Sequence, residues 1–213
     1  TIPQFANHTD IKIDLSLTSN GDRWDKSGSC FVIPKDSKIN MLDIATQKAQ
    51  YPEHDIDKYE NLNGIVAGND YLPTVELMRF MTPFGVGHYS DNNDSVSAAR
   101  RPVYIDGWAE KVEWQENITD LSSLLEDEVY VGVFIDTWTK EGYKVNATLS
   151  FTESNIKGDK KIKTHVIPLI NTVYYVGQKH PDIFSRQDVE VPFTLSPKAK
   201  NVRLKYITTG HGG

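Results

Sequence analysis

The stretch IKIDLSL, residues 11–17, sets Ile11, Ile13, Leu15 and Leu17 on one side of an extended chain and Lys12, Asp14 and Ser16 on the other. Neighbouring strand side chains point to opposite faces, so this alternation predicts a strand with one buried and one wet face. YKVNATLSF (143–151) repeats the pattern with Tyr143, Val145, Ala147, Leu149 and Phe151, and DVEVPFTL (188–195) with Val189, Val191, Phe193 and Leu195. Further strands are expected at 29–33, 39–45, 75–81, 111–114, 129–137, 164–170 and 202–207. No stretch sustains helical spacing of apolar residues. ITDLSSLLED (118–127) is expected to form one or two helical turns, with Thr119 or Asp120 as N-cap. Many short strands separated by Gly, Pro and Asn turns give an all-β protein, an antiparallel sandwich of jelly-roll or Greek-key topology.

The charged, turn-rich TESNIKGDKKIK (152–163) is the best linker. The residues before it suffice for an eight-stranded sandwich. Those after it supply three or four strands, too few to bury the apolar surface that would offset their ordering entropy. The second half is therefore expected to be incomplete by itself. HYSDNNDSVSAARR (88–101) reads as a long loop, of a length that is usually functional or disordered.

Composition removes several classes of function. Lys plus Arg number 23 against 29 Asp plus Glu, a formal charge of -6, so there is no broad basic surface for nucleic acid. No apolar run approaches a membrane-spanning length. Cys30, the one cysteine, excludes an internal disulfide framework and a cysteine metal cluster; in GSCFVIP it reads as a buried, inert thiol. The six histidines, at 8, 54, 88, 165, 180 and 211, lack metal-ligand spacing. Phosphate-loop, H-E-x-x-H, G-x-S-x-G and EF-hand motifs are missing, so neither metal nor cofactor is expected. The start TIPQFANHTD, without Met or a signal-peptide core, is what a processed, exported protein or a trimmed one presents.

Two acidic groups carry candidate chemistry. YPEHDIDKYENL (51–62) holds Glu53, Asp55, Asp57 and Glu60. It reads either as a solvated loop or as a site in which Ile56 and Tyr59 desolvate Asp57 into a useful base. In VYVGVFIDTWTKEG (129–142), Asp136 closes an apolar run and precedes Trp138. It is either a solvent-capped strand end or a carboxylate presented by a rigid scaffold beside an aromatic sugar platform. Trp24 and Asp25, in GDRWDKSG, read as a turn.

DIDKYENL, VELMRFMTPFGVG, ITDLSSLL, VGVFIDTWTKEG, VIPLI and ITTGHGG, taken in order and spacing, resemble the bacterial peptide:N-glycosidase F family from about Phe31 to the last residue. RFMTPFGVG (79–87) and DTWTKEG (136–142) are the most specific parts. The resemblance implies two jelly-roll domains side by side, 1–155 complete and 156–213 the start of the second, with the site in the cleft between them. It implies hydrolysis of the amide joining the first N-acetylglucosamine of an N-glycan to asparagine, which becomes aspartate. Asp57 matches the family's essential aspartate. Lys58 stands where an arginine contacts sugar, keeping the charge but not the planar fork. Asp136 matches a glutamate and is one methylene shorter, which changes its reach toward chitobiose or water and leaves room for a bulkier core sugar. Trp138 matches a cleft tryptophan and His211 a histidine that opens an active-site loop.

A further essential glutamate of the family lies beyond the histidine, past Gly213. The expectation is thus the N-terminal chain of a two-chain amidase, secreted, periplasmic or on the surface of a bacterium. A C-terminal chain of the same precursor would complete it, and glycosylated peptides or proteins would be its substrate. The alternatives are a jelly-roll carbohydrate-binding protein without catalysis, with Trp138 and Trp108 as platforms, and a structural sandwich with no site. The segment 86–110 is expected to form part of the cleft rim.

Overall fold

The alternation at residues 11–17 becomes β1 (Thr9–Ser19), with Ile11, Ile13, Leu15 and Leu17 all at 3% exposure or less. A computed structural model describes residues 1–20, 25–52, 63–68, 70–82, 111–137, 140, 142–173, 175–178 and 188–209. β1 is the middle strand of an antiparallel sheet, flanked by β4 (Lys111–Asn117) and β6 (Tyr143–Glu153). Leu15 lies opposite Trp114 on one side and Ala147 on the other. β2 (Ser27–Val32) is the middle of the second antiparallel sheet, between β3 (Val75–Met81) and β5 (Val131–Ile135).

The sheets meet across one core in which Ile13, Leu15 and Leu17 of the first pack with Cys30, Val32, Met78 and Phe80 of the second. Phe80 and Trp114 meet between them with tilted rings, centres 5.1 Å apart. Consecutive strands mostly change sheets, which is how a jelly-roll β-sandwich is wound.

A bulge in β3 sets the outer face of the second sheet. Cys30 pairs with Met78 but Phe31 pairs with Glu76, so Leu77 is an extra residue facing nothing on β2. In a regular strand, residues three apart lie on opposite faces. The extra residue restores the parity, so Glu76 and Arg79 share the face that points away from the core.

Three expectations are corrected. The segment expected to be a strand at 39–45 is instead α1 (Met41–Ala45). Asn40 caps it, accepting from the Leu42 and Asp43 amides, while Asp43 accepts back from the Asn40 amide. Local capping wins over apolar alternation, and only Ile39 keeps a bridge, to Tyr71. ITDLSSLLED does form a short 3-10 helix, Thr119–Leu124, but neither Thr119 nor Asp120 caps it. The Thr119 hydroxyl accepts instead from the Ile11 amide of β1, at 2.9 Å.

Finally, no described residue after Glu153 lies in a strand, although Ile170 makes a bridge to Val66. Phe193, Leu195, Val202, Leu204 and Tyr206 are between 42% and 79% exposed. Alternation specifies the faces of a strand but supplies no partner, and among the described residues these segments have no ladder to join.

Candidate functional site

Asp136 comes directly after β5 and is exposed. Its amide donates to the Ser27 carbonyl at 3.0 Å, adding a rung to the β2–β5 ladder. The next amide, Thr137, donates back to the Ile135 carbonyl at 2.7 Å, a three-residue turn of the kind that ends strands. The carboxylate thus leaves the sheet from a fixed corner. Beside it, Thr82, 2% exposed, clamps the preceding residue of β2: its amide donates to the Lys26 carbonyl at 2.8 Å and its hydroxyl accepts from the Lys26 amide at 2.6 Å.

The register arranges the outer face of the second sheet in rows. Arg79, Ser29 and Phe134 form one row, and Glu76, Phe31 and Gly132 the next toward the opposite end. Asp136 lies one row beyond Phe134, next to Ser27 and, across β2, Met81. Glycine at 132 leaves room for the Phe31 ring, two atoms of which would come within 2.7 Å of a Cβ there.

The second half of the chain covers this face. Tyr175 packs tilted against Phe31 and edge-on to Phe134, with ring centres 4.5 and 5.6 Å away, and its hydroxyl lies 3.4 Å from Ser29 Oγ. Asn171 donates through Nδ2 to both the carbonyl and the hydroxyl oxygen of Thr74, at 3.0 Å each. Burial pushes the Tyr175 phenol above its ordinary pKa, and the nearby Glu76 carboxylate adds to the effect.

Glu76 and Arg79 pair beneath this cover. Glu76 Oε1 accepts from Arg79 Nε at 2.7 Å and contacts Nη2 at 2.5 Å, with the side chains 7% and 13% exposed. Arg79 Nη1 donates to Thr209 Oγ1 at 3.0 Å.

Of the predicted site residues, Asp136 is placed as described; Asp57, Lys58, Trp138 and His211 lie outside the described residues. So do Trp24, Trp108 and the segment 86–110. Their described neighbours in the chain are nonetheless informative. Tyr51 and Gly64, on either side of the stretch holding Asp57 and Lys58, touch each other, since a Cβ on Gly64 would sit 2.6 Å from the Tyr51 ring. Gln178 donates to the Gly64 carbonyl, and its Oε1 accepts from the Tyr175 amide. Trp138 is two residues past Asp136, and His211 two residues past Thr209. Of these described neighbours, Asp136 and Thr209 contact the outer face of the second sheet, at Ser27 and Arg79, and Gly64 joins it through Gln178 and Tyr175. A cavity of about 100 Å³ at the other end of the sandwich, lined by Phe5, Ile11, Leu125 and Phe151, is remote from this face.

The seam of Glu76, Arg79, Ser29, Asn171 and Tyr175 was not expected from sequence. Its one sequence signal is opposite charges three apart inside an apolar strand, VELMRFM, which period-two reading leaves unexplained. Among the described residues no three His, Cys, Asp or Glu side chains cluster as a metal site, and no helix is long and apolar enough to cross a membrane.

Comparison with known proteins fits this architecture. The family model for Peptide-N-glycosidase F, N terminal, matches residues 1–151, most of the chain. The chain belongs to the peptide-N-glycosidase F family. The companion model, Peptide-N-glycosidase F, C terminal, matches residues 179–213 of this family member. Two solved structures of PNGF-II, in space groups P21 and C2, are similar to it. Each is 30% identical; the TM-scores are 0.68 and 0.67, over 86% and 87% of this chain. The chain spans 33% of the length of either structure. No curated protein matches it.

Proposed function

We propose that this peptide-N-glycosidase F family member contributes to an amidase that hydrolyses the bond between the first N-acetylglucosamine of an N-glycan and asparagine. Water adds to the amide carbonyl, the carbon–nitrogen bond breaks, and the nitrogen departs with a proton as a glycosylamine, leaving aspartate. Asp57 activates the water. Asp136 holds the chitobiose or an ordered water with its shorter arm, Trp138 meets a sugar face, Lys58 supplies a positive contact, and His211 approaches from the second half. Carboxylates acting on water suffice for general acid–base catalysis of this kind. The second half, 156–213, is the start of a second jelly roll, completed by a C-terminal chain that brings a further carboxylate; the protein works secreted, in the periplasm or at the surface of a bacterium, on N-glycosylated peptides or proteins.

The observation that carries this reading is the family match over residues 1–151, joined to the position of Asp136 at a sheet corner on the face that the second half covers. Incubation of the protein, with every chain that co-purifies, with an N-glycopeptide should convert Asn to Asp, read by mass spectrometry. Asp57→Asn should slow conversion at least about 100-fold with the fold unchanged, the scale of a lost general base. Intact glycopeptide after prolonged incubation defeats the amidase reading, and tight binding of that uncleaved peptide would favour a carbohydrate-binding protein.

A further inference from the structure

We propose that Arg79 is a positioning residue that latches the segment 207–209, and with it the chain leading to His211, to the sheet that carries Asp136. The proposal rests on the amidase reading for its catalytic consequence, but not for the latch itself.

The geometry is specific. An arginine fork has donors on two sides. Here one side, Nε and Nη2, is held by Glu76, and Nη1 is left aimed at Thr209. The bulge at Leu77 makes this possible by bringing Glu76 onto the outer face, where it fixes the plane of the guanidinium. Packing holds the approaching chain only weakly: Val202, Leu204 and Tyr206 are 58%, 79% and 68% exposed. The ion pair of Arg203 with Asp120, at 3.1 Å, is 77% and 81% exposed, and such pairs hold little. The Arg79–Thr209 bond spans 130 residues of sequence; its threonine is exposed, but its donor is a charged guanidinium whose other side is held in the buried pair with Glu76. A buried ion pair is a poor way to gain stability alone. A pair that orients a third contact across the two halves gives it another use.

Two variants separate the latch from the buried charge. Thr209→Val keeps the shape and removes the acceptor. Arg79→Lys keeps a cation against Glu76 and removes the fork. In each, hydrogen exchange of the amides at 207–209 should rise about tenfold, the value of a hydrogen bond to a charged group. Glycopeptide conversion should lose kcat by about tenfold with KM nearly unchanged, the pattern of lost alignment rather than lost binding. Unchanged exchange in Thr209→Val overturns the latch, as does faster exchange with undiminished kcat for its catalytic consequence. If the unmodified protein converts no glycopeptide, the amidase reading fails, and the exchange experiment alone decides the latch.

Discussion

Glu76→Leu isolates the energetics of the buried pair. The substitution leaves the Arg79 guanidinium, 13% exposed, with its Nη1 bond to Thr209 but no counter-charge. Breaking a buried pair from one side costs about 3–5 kcal/mol, because the surviving charge keeps its desolvation penalty and loses its compensation. Domain stabilities are commonly only about 5–15 kcal/mol, so this is a large share. Replacing both members is different: desolvation of the two charges and their mutual attraction largely cancel, so Glu76→Leu with Arg79→Met should lie near the parent or above it.

The assay is equilibrium unfolding in urea, followed by tryptophan fluorescence, for parent, both single variants and the double. The cycle should give a coupling energy of about 3 kcal/mol, far above the few tenths expected of independent sites. A cost below about 1 kcal/mol for Glu76→Leu would mean that water reaches the pair freely. A double variant as unstable as the single would mean that the two charges do not depend on each other. Either result refutes the reasoning.

Gly132→Ala should destabilise by about 1–3 kcal/mol, since the new methyl would press into the Phe31 ring; an unchanged urea midpoint would show that the ring moves aside at no cost. Burial holds the Tyr51 phenol up at about 12 against an ordinary 10. Its contribution to stability is therefore complete below pH 10 and lost as pH rises from 10 to about 12, and unfolding curves across that window, paired with tyrosinate absorbance, should show both changes together. A phenol at Tyr51 that ionises near 10 with no loss of stability contradicts this. Burial likewise lifts the Cys30 thiol to about 11, so a disulfide reagent at about pH 8 should react only on unfolding; rapid labelling of the native protein would place Cys30 at an accessible surface.

The sandwich was legible wherever a strand has one wet face. β1 shows it best: the alternation of 11–17 returns as burial alternating residue by residue. In β6 the same pattern overstates burial, because among the described strands β6 lies at an edge and Val145 stays 38% exposed although it faces Leu17. At 39–45 the pattern misled, since a capping box at Asn40 is a local interaction that two-residue periodicity does not register. Among the described residues the segments 188–195 and 202–207 alternate without pairing, because pairing belongs to the neighbour and not to the segment. At the candidate site, Asp136 was legible as a charge that ends an apolar run. Glu76 and Arg79 were not, since two-residue periodicity puts residues three apart on opposite faces and does not register that Leu77 is bulged out of the count.

Leu77 has the properties of an insertion that the ladder could lose. Without it, Val75 would still oppose Val32, Glu76 would oppose Phe31 and Met78 would oppose Cys30, so no side chain would turn inside out. The changes would be a void in the core, where Leu77 is fully buried, and a new spacing along the outer face, where the acid and the base would stand a full pleat apart, about 7 Å, instead of at the kink of a bulge. A single codon thus separates two properties that mutation usually confounds, which way a sheet faces and where one of its side chains is aimed.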